Sequence, residues 1–187
     1  MKILFATSNH QKVAQARLAL PDFEVEQLDA DVFEIKSLSL DETIERKAID
    51  TFALVKKPVV VEDTCLFFNA YENFPGTYSK FCYQTLGLDG LLKLLEGKDR
   101  KATFVSSVAF IEQGMNKPIV FTGEIKGRIS EKPVGEIIYK MPYATIFIPS
   151  GSNKTFNELT SEEKNAVSHR GIAFRKLGEW LKKKEKI

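Results

Sequence analysis

Pro58-Val59-Val60-Val61-Glu62-Asp63-Thr64-Cys65-Leu66 places two demands on the fold at once. The β-branched run reads as a buried strand. It ends in two adjacent carboxylates, which are costly there unless a metal ion or a basic side chain meets them. The stretch Phe67-Phe68-Asn69-Ala70-Tyr71-Glu72-Asn73-Phe74-Pro75-Gly76 then reads as an aromatic-rich loop closing on a Pro-Gly turn. Two acids alone would be no more than a solvated strand end.

Upstream, Lys2 to Ala6 reads as a strand, and Thr7-Ser8-Asn9 supplies hydroxyl and amide groups suited to a helix N-cap. Val13, Ala16 and Leu20 share one face of the helix that follows. Glu24 to Leu28 alternates as a second strand, and Ser39-Leu40-Asp41-Glu42 has capping-box spacing for a helix running toward Val55. Downstream, Thr77 to Leu86 and Asp89 to Leu95 read as helices stopped by Gly87 and Gly97. Ala102–Ile111 and Pro118–Glu124 read as an antiparallel hairpin, and Tyr143–Ile148 as another strand. Thr160-Ser161-Glu162-Glu163 is a second capping box. Ala173, Phe174, Leu177, Trp180 and Leu181 form one stripe on the last helix, which is expected to pack into the core. Strands alternate with helices first and pair antiparallel later, so the fold class is α/β with a mixed sheet.

The 187 residues fit one domain spanning 1–187, with 43% apolar and 28% charged side chains, as in soluble globular proteins. No apolar run reaches the length of a membrane span, and the N-terminus lacks a signal-peptide pattern, so no membrane partner is expected. Cys65 and Cys82 have no metal-ligand spacing, and two lone thiols fit a reducing cytoplasm. A net charge of +2 is too balanced to argue for a nucleic-acid partner. The basic tail from Lys182 reads as a solvated helix end that complements the dipole.

Three segments carry candidate chemistry. The turn Thr7-Ser8-Asn9 opens a helix whose N-terminus suits phosphate, with Lys12 one turn inside; no glycine-rich phosphate loop is present. Glu62-Asp63 forms the acidic segment. Glu163-Lys164 with Ser168-His169-Arg170 gathers donors where one helix ends and the next begins, fit to read a phosphate or the acceptor edge of a base.

Together these blocks resemble the inosine triphosphate pyrophosphatase family, which hydrolyses non-canonical purine nucleoside triphosphates. The resemblance covers almost the whole chain. It rests on Thr7-Ser8-Asn9 with Lys12, Glu62-Asp63-Thr64 with Phe74-Pro75-Gly76-Thr77-Tyr78-Ser79, Phe147-Ile148-Pro149, and Glu163-Lys164 with Ser168-His169-Arg170. It implies a long twisted mixed sheet between two lobes, an active-site cleft between them, and a homodimer. Thr7, Asn9 and Lys12 would hold the triphosphate, with Lys47 and Lys164 neutralising its charge. Asp63 would be the general base. Glu34 and Asp63 would hold Mg²⁺, with Glu62 either a ligand or behind one. Tyr143, Ser168, His169 and Arg170 would face the purine, their donors favouring a 6-oxo acceptor as in ITP, dITP or XTP. One departure stands out. Where the family usually carries Phe-Gly-Tyr-Asp or Phe-Gly-Trp-Asp, this chain has Met141-Pro142-Tyr143-Ala144. The competing readings are therefore a pyrophosphatase with shifted base choice, or a nucleotide-binding module that no longer turns over.

Overall fold

The computed structural model describes residues 2–29, 37–138 and 140–184. Its elements run β1 (Lys2–Ala6), α1 (His10–Ala19), β2 (Glu24–Leu28), α2 (Leu40–Val55), β3 (Val59–Phe68), β4 (Pro75–Gly76) and α3 (Ser79–Lys93). They continue with β5 (Lys101–Ile111), β6 (Ile119–Ile129), a 3-10 turn (Pro142–Thr145), β7 (Phe147–Pro149), α4 (Ser161–Val167) and α5 (His169–Lys184). Glu34 lies outside the described residues.

Local chemistry explains the helix starts. Asn9 accepts from the Gln11 amide, Ser39 from the Glu42 amide, and Thr160 and Glu163 cap each other's backbone reciprocally. The α3 region is two helical pieces joined at Gly87, whose φ of 65° is open to glycine at little cost.

The strands form one mixed sheet in the order β2-β1-β3-β5-β6-β7, with β4 against β3. β1 pairs in parallel with β2 and β3, and the other pairings are antiparallel. The central strand is longer than expected. It does not stop at the carboxylates but runs on to Phe68, paired residue for residue with β5 from Val59↔Ile111 to Phe68↔Ala102. Thr64 to Phe68 are themselves good strand formers, and the buried acid in mid-strand is neutralised by side chains described below. The strand expected over Tyr143–Ile148 is shorter than that. Pro142 opens the 3-10 turn instead, and only Phe147–Pro149 pairs with β6.

Two packed regions share β3 and β5. At one end, Phe5, Val13, Val60, Phe110, Phe174 and Leu177 fill the space between the sheet and α1 and α5, while Ile44, Ala48, Val61 and Ala109 seat α2 on the opposite face. At the other end, Leu66, Phe68, Leu91, Phe104 and Phe147 form a separate core with α3 and the 3-10 turn. Between them the sheet narrows to a polar waist of Glu62, Asp63, Thr64, Ser106 and Ser107. Among the described residues, no helix is long and apolar enough to cross a membrane.

The start of α5 lies directly on β6 at Gly123. A Cβ there would stand 2.1 Å from the His169 carbonyl oxygen and 2.7 Å from the Ala173 nitrogen. Both neighbours are backbone, so α5 itself would have to lift. Gly123→Ala is expected to cost about 1–3 kcal/mol, lowering Tm by roughly 2–12 °C in a thermal melt. An unchanged Tm would mean that α5 is not seated there.

Candidate active site

β1 pairs with β3 at Phe5↔Val60 and ends at Ala6. β3 runs on past that end, which carries Glu62 and Asp63 alongside the Thr7–Ser8–Asn9 turn. Ligand crevices lie at this position in sheets of this kind, beyond the carboxyl ends of parallel strands. The turn is held by its own groups. Thr7 Oγ1 accepts from Asn9 N at 3.1 Å, and Asn9 Oδ1 accepts from Gln11 N at 3.0 Å.

Side chains alternate along a strand, so the two neighbouring acids diverge to opposite faces. Glu62 shares a face with Val60 and Thr64, toward α1 and α5. Its side chain is fully buried: Lys12 Nζ stands 2.6 Å from Oε2, and Arg170 Nε donates to Oε1 at 3.1 Å. Ser106 Oγ donates to Oε1 at 2.7 Å, and Thr64 Oγ1 donates to the same oxygen. Burial works against the charge, yet Arg170, Lys12 and Thr64 outweigh it and hold the carboxyl well below the usual carboxylate range. Both oxygens are thus engaged by protein groups. Glu62 organises two cations, Lys12 and Arg170.

Asp63 is half-buried on the other face, the side that α2 covers through Val59 and Val61. Its Oδ1 accepts from Thr64 N at 3.0 Å. Lys47 rises from α2 to donate to the Glu62 backbone oxygen at 3.3 Å.

Ser168, His169 and Arg170 come together as expected, but as buried groups with 3%, 5% and 4% exposure. Ser168 Oγ caps α5 by accepting from Gly171 N at 2.9 Å. Arg170 spends its donors on Glu62, on Thr64 Oγ1 at 3.0 Å and on Gln15 Oε1 at 2.7 Å. The His169 ring stacks on Phe104 at 4.6 Å with planes 7° apart. Burial, with Arg170 and Lys12 adding to it against the pull of Glu62, lowers its pKa to about 3. Tyr143 is also inside: its hydroxyl donates to the Ser79 oxygen at 2.7 Å, and burial pushes the phenol pKa up. Of these four residues, Ser168, Arg170 and Tyr143 make hydrogen bonds to interior partners.

A small pocket opens beside them, lined by Gln11, Gln15, Met141, Ala144, Ser161 and Lys164. Burial lowers the pKa of the Lys164 ammonium. Gln15 joins this pocket to the buried cluster, bonding Arg170 and lying 3.8 Å from Met141 Sδ. Its place was readable only as Lys12 plus three, one turn along the same helix face; the Arg170 contact is a long-range product of folding. Among the described residues, no group of three His, Cys, Asp or Glu gathers as a ready metal cage. Mg²⁺ characteristically takes one or two carboxylates plus substrate phosphates, so an oxygen donor such as Asp63 near the Thr7–Asn9 helix start fits it.

A model of the Ham1 family matches residues 3–180. The chain belongs to the Ham1 family. It is 46% identical to a dITP/XTP pyrophosphatase of Methanopyrus kandleri over 185 residues, 97% of each chain, and 43% identical to one of Pyrococcus horikoshii over the same shares. Among solved structures, a Ham1 protein of Staphylococcus aureus superposes with a TM-score of 0.81 at 27% identity, covering 98% of this chain and 100% of that one. A HAM1 protein of Coxiella burnetii gives 0.82 at 27% identity, covering 98% and 99%. The Ham1 sheet in this chain is thus built around a buried acid with two cations.

The neutral His169 has a consequence for stability. Unfolded, its imidazole gains a proton as pH falls through about 6.5, whereas the folded ring resists down to about 3. Its contribution is complete above pH 6.5 and is lost progressively below it. Urea unfolding at pH 7.5, 6.5 and 5.5 should show stability falling with acid, and His169→Phe should flatten that slope. An equal slope in the variant would mean that His169 is not buried neutral.

Proposed function

We propose that the chain is a Mg²⁺-dependent nucleoside triphosphate pyrophosphatase that converts ITP, dITP and XTP to the monophosphate and pyrophosphate. The observation that carries this reading is the convergence at the end of β3, where Asp63, Lys47 and Lys12 border a helix-start phosphate turn. The dITP/XTP pyrophosphatases aligned over 97% of the chain support it.

The triphosphate lies along the Thr7–Asn9 turn against the positive end of α1. It brings about four negative charges, which must be offset before an anionic base can work beside it. Lys12 has three ammonium donors. One serves Glu62, which fixes its direction, and the others face phosphate. Lys47 offsets charge from the α2 side, and Lys164 from the pocket side. Bound Mg²⁺ would be held by Asp63, by Glu34 and by phosphate oxygens, supplying further charge neutralisation at the anhydride. Asp63 takes the proton of the attacking water, whose oxygen displaces pyrophosphate from the α-phosphorus.

The base enters the pocket of Gln11, Gln15, Met141, Ala144 and Lys164. Ser168, His169 and Arg170 stand behind it and fix the polarity of its floor; Tyr143 anchors its wall through Ser79. Because Met141 and Ala144 make that wall apolar, discrimination against ATP and GTP is expected to be weaker than the family pattern implies. We place the enzyme in the cytoplasm, in keeping with its buried free thiols Cys65 and Cys82. It is proposed to act as a homodimer without a nucleic-acid or membrane partner. Exposed Leu38, Tyr78 and Phe81, drawn together by the 2.5 Å bond from Thr77 Oγ1 to the Ser37 oxygen, offer an apolar face for the second copy.

The test is a panel of nucleoside triphosphates with Mg²⁺, scored separately for pyrophosphate and orthophosphate. Pyrophosphate from ITP, abolished by a chelator, is expected. Asp63→Asn should lower kcat by about 10²–10⁴-fold while ITP still binds. Orthophosphate as the first product, or a nearly normal Asp63→Asn enzyme, would sink the assignment. Binding without turnover in the natural protein would favour a nucleotide-binding module.

A further inference from the structure

One wall of the pocket assigned to the base comes from a single stretch of chain, through Ile138, Met141 and Ala144. Their backbones are bonded in series. Met141 N donates to the Ile138 oxygen at 2.9 Å, and Ala144 N donates to the Met141 oxygen at 3.2 Å. The series ends on Asn157, whose N donates to the Ala144 oxygen at 2.9 Å. The Asn157 side chain also reaches the start of the stretch: Nδ2 donates to the Val134 and Glu136 backbone oxygens, each at 3.2 Å. Val134 N closes the loop by donating to the Thr145 oxygen at 2.9 Å.

Asn157 is itself tied to the core. Phe156, the residue before it, is buried with its ring centroid 5.1 Å from that of Phe147, and Phe156 N donates to the Phe147 oxygen at 2.9 Å. The amide faces the two carbonyls in one sense only, because Oδ1 in place of Nδ2 would set oxygen against oxygen. Oδ1 lies buried with no partner among the described residues, a cost that two donated bonds offset. Gly135 makes room for this amide. A Cβ there would stand 2.5 Å from Nδ2, and its φ of 77° favours glycine.

We propose that Asn157 is a positioning residue for base recognition, clasping residues 134–145 to the core and so holding the Ile138–Met141–Ala144 wall where the purine rests. This rests on the triphosphate pyrophosphatase reading above. Apolar side chains select a base by where they stand, so their backbone must be fixed from elsewhere. Between β6 and the 3-10 turn, the described residues form no helix or strand that would fix it. The bonds Asn157 makes go to Val134, Glu136 and Ala144, whereas phosphate is assigned to the Thr7–Asn9 turn. Loss of the clasp should therefore be felt at the base and not at the triphosphate.

The experiment titrates inosine monophosphate and, separately, inorganic triphosphate into the natural protein, Asn157→Asp, Asn157→Ala and Gly135→Ala by calorimetry. ITP kinetics and amide hydrogen exchange accompany it. Asn157→Asp keeps the side-chain shape but turns a carboxylate oxygen toward the two carbonyls. It should weaken inosine monophosphate and raise KM for ITP by about three- to tenfold, with kcat changed by less than about threefold. Affinity for inorganic triphosphate should not move, which also shows that the variant is folded. Exchange at the Met141 and Ala144 amides should quicken. Asn157→Ala should behave alike, and so should Gly135→Ala, whose Cβ displaces the amide. Natural affinity for inosine monophosphate in Asn157→Asp, or an equal loss for triphosphate, would overturn the proposal. If the natural protein binds both ligands but releases no pyrophosphate from ITP, the hydrolytic reading fails while the titrations still judge the clasp.

Discussion

A carboxylate with no exposed surface, in the middle of a ten-residue strand, is the constraint on which this molecule depends. An isolated charge there would cost several kcal/mol even after relaxation, so Glu62 requires partners of opposite sign with good geometry. Lys12 comes from the first helix and Arg170 from the last, 108 residues away from Glu62 in sequence. Their convergence ties the two ends of the chain to the central strand. It also dictates that α1 and α5 share one face of the sheet. Ser106 and Thr64 complete the coordination of Oε1, so the polar waist of the sheet follows from the same requirement.

That arrangement sends two adjacent acids to opposite faces of the sheet. Glu62 looks toward α1 and α5 and sets the direction of the cations. Asp63 looks toward α2 and is less buried. One residue of strand period divides a fully buried carboxylate from the half-buried one to which the proposed function gives the chemistry. The Thr7–Asn9 helix start lies at the edge between the two faces, where β1 ends and β3 continues.

Much of the fold is legible in the sequence because the signals are local. Asn9, Ser39 and Thr160 each cap the helix they precede, and a cap needs only residues two or three positions away. The β5–β6 hairpin follows from strand propensity and a turn at Gly114. The run Tyr143–Ile148 misleads because its β-rich composition is overruled by Pro142 and by the Tyr143 hydroxyl anchored to Ser79, 64 residues distant. At the site, the residue types were legible but not their pairings. Lys12, Glu62 and Arg170 each stand out in sequence, yet only the folded chain shows that they meet one another. A sequence does not show burial, so the depth of His169 and Arg170 is visible only in the folded chain. Ser106 and Asn157 carry no local signal, and Gln15 only its spacing of three from Lys12; the partners of all three come from distant parts of the chain.

The account stands most directly on the coupling between Glu62 and Arg170. A double-mutant cycle of Glu62→Gln and Arg170→Met, followed by urea unfolding at pH 7.5, measures it. Each single change should cost about 3–5 kcal/mol because it strips Arg170 of its carboxylate or leaves Glu62 with Lys12 as its one cation. The double variant should cost far less than the sum, a coupling on the order of 2 kcal/mol or more. Costs that simply add would contradict the claim that this pair holds the two ends of the chain against the central strand.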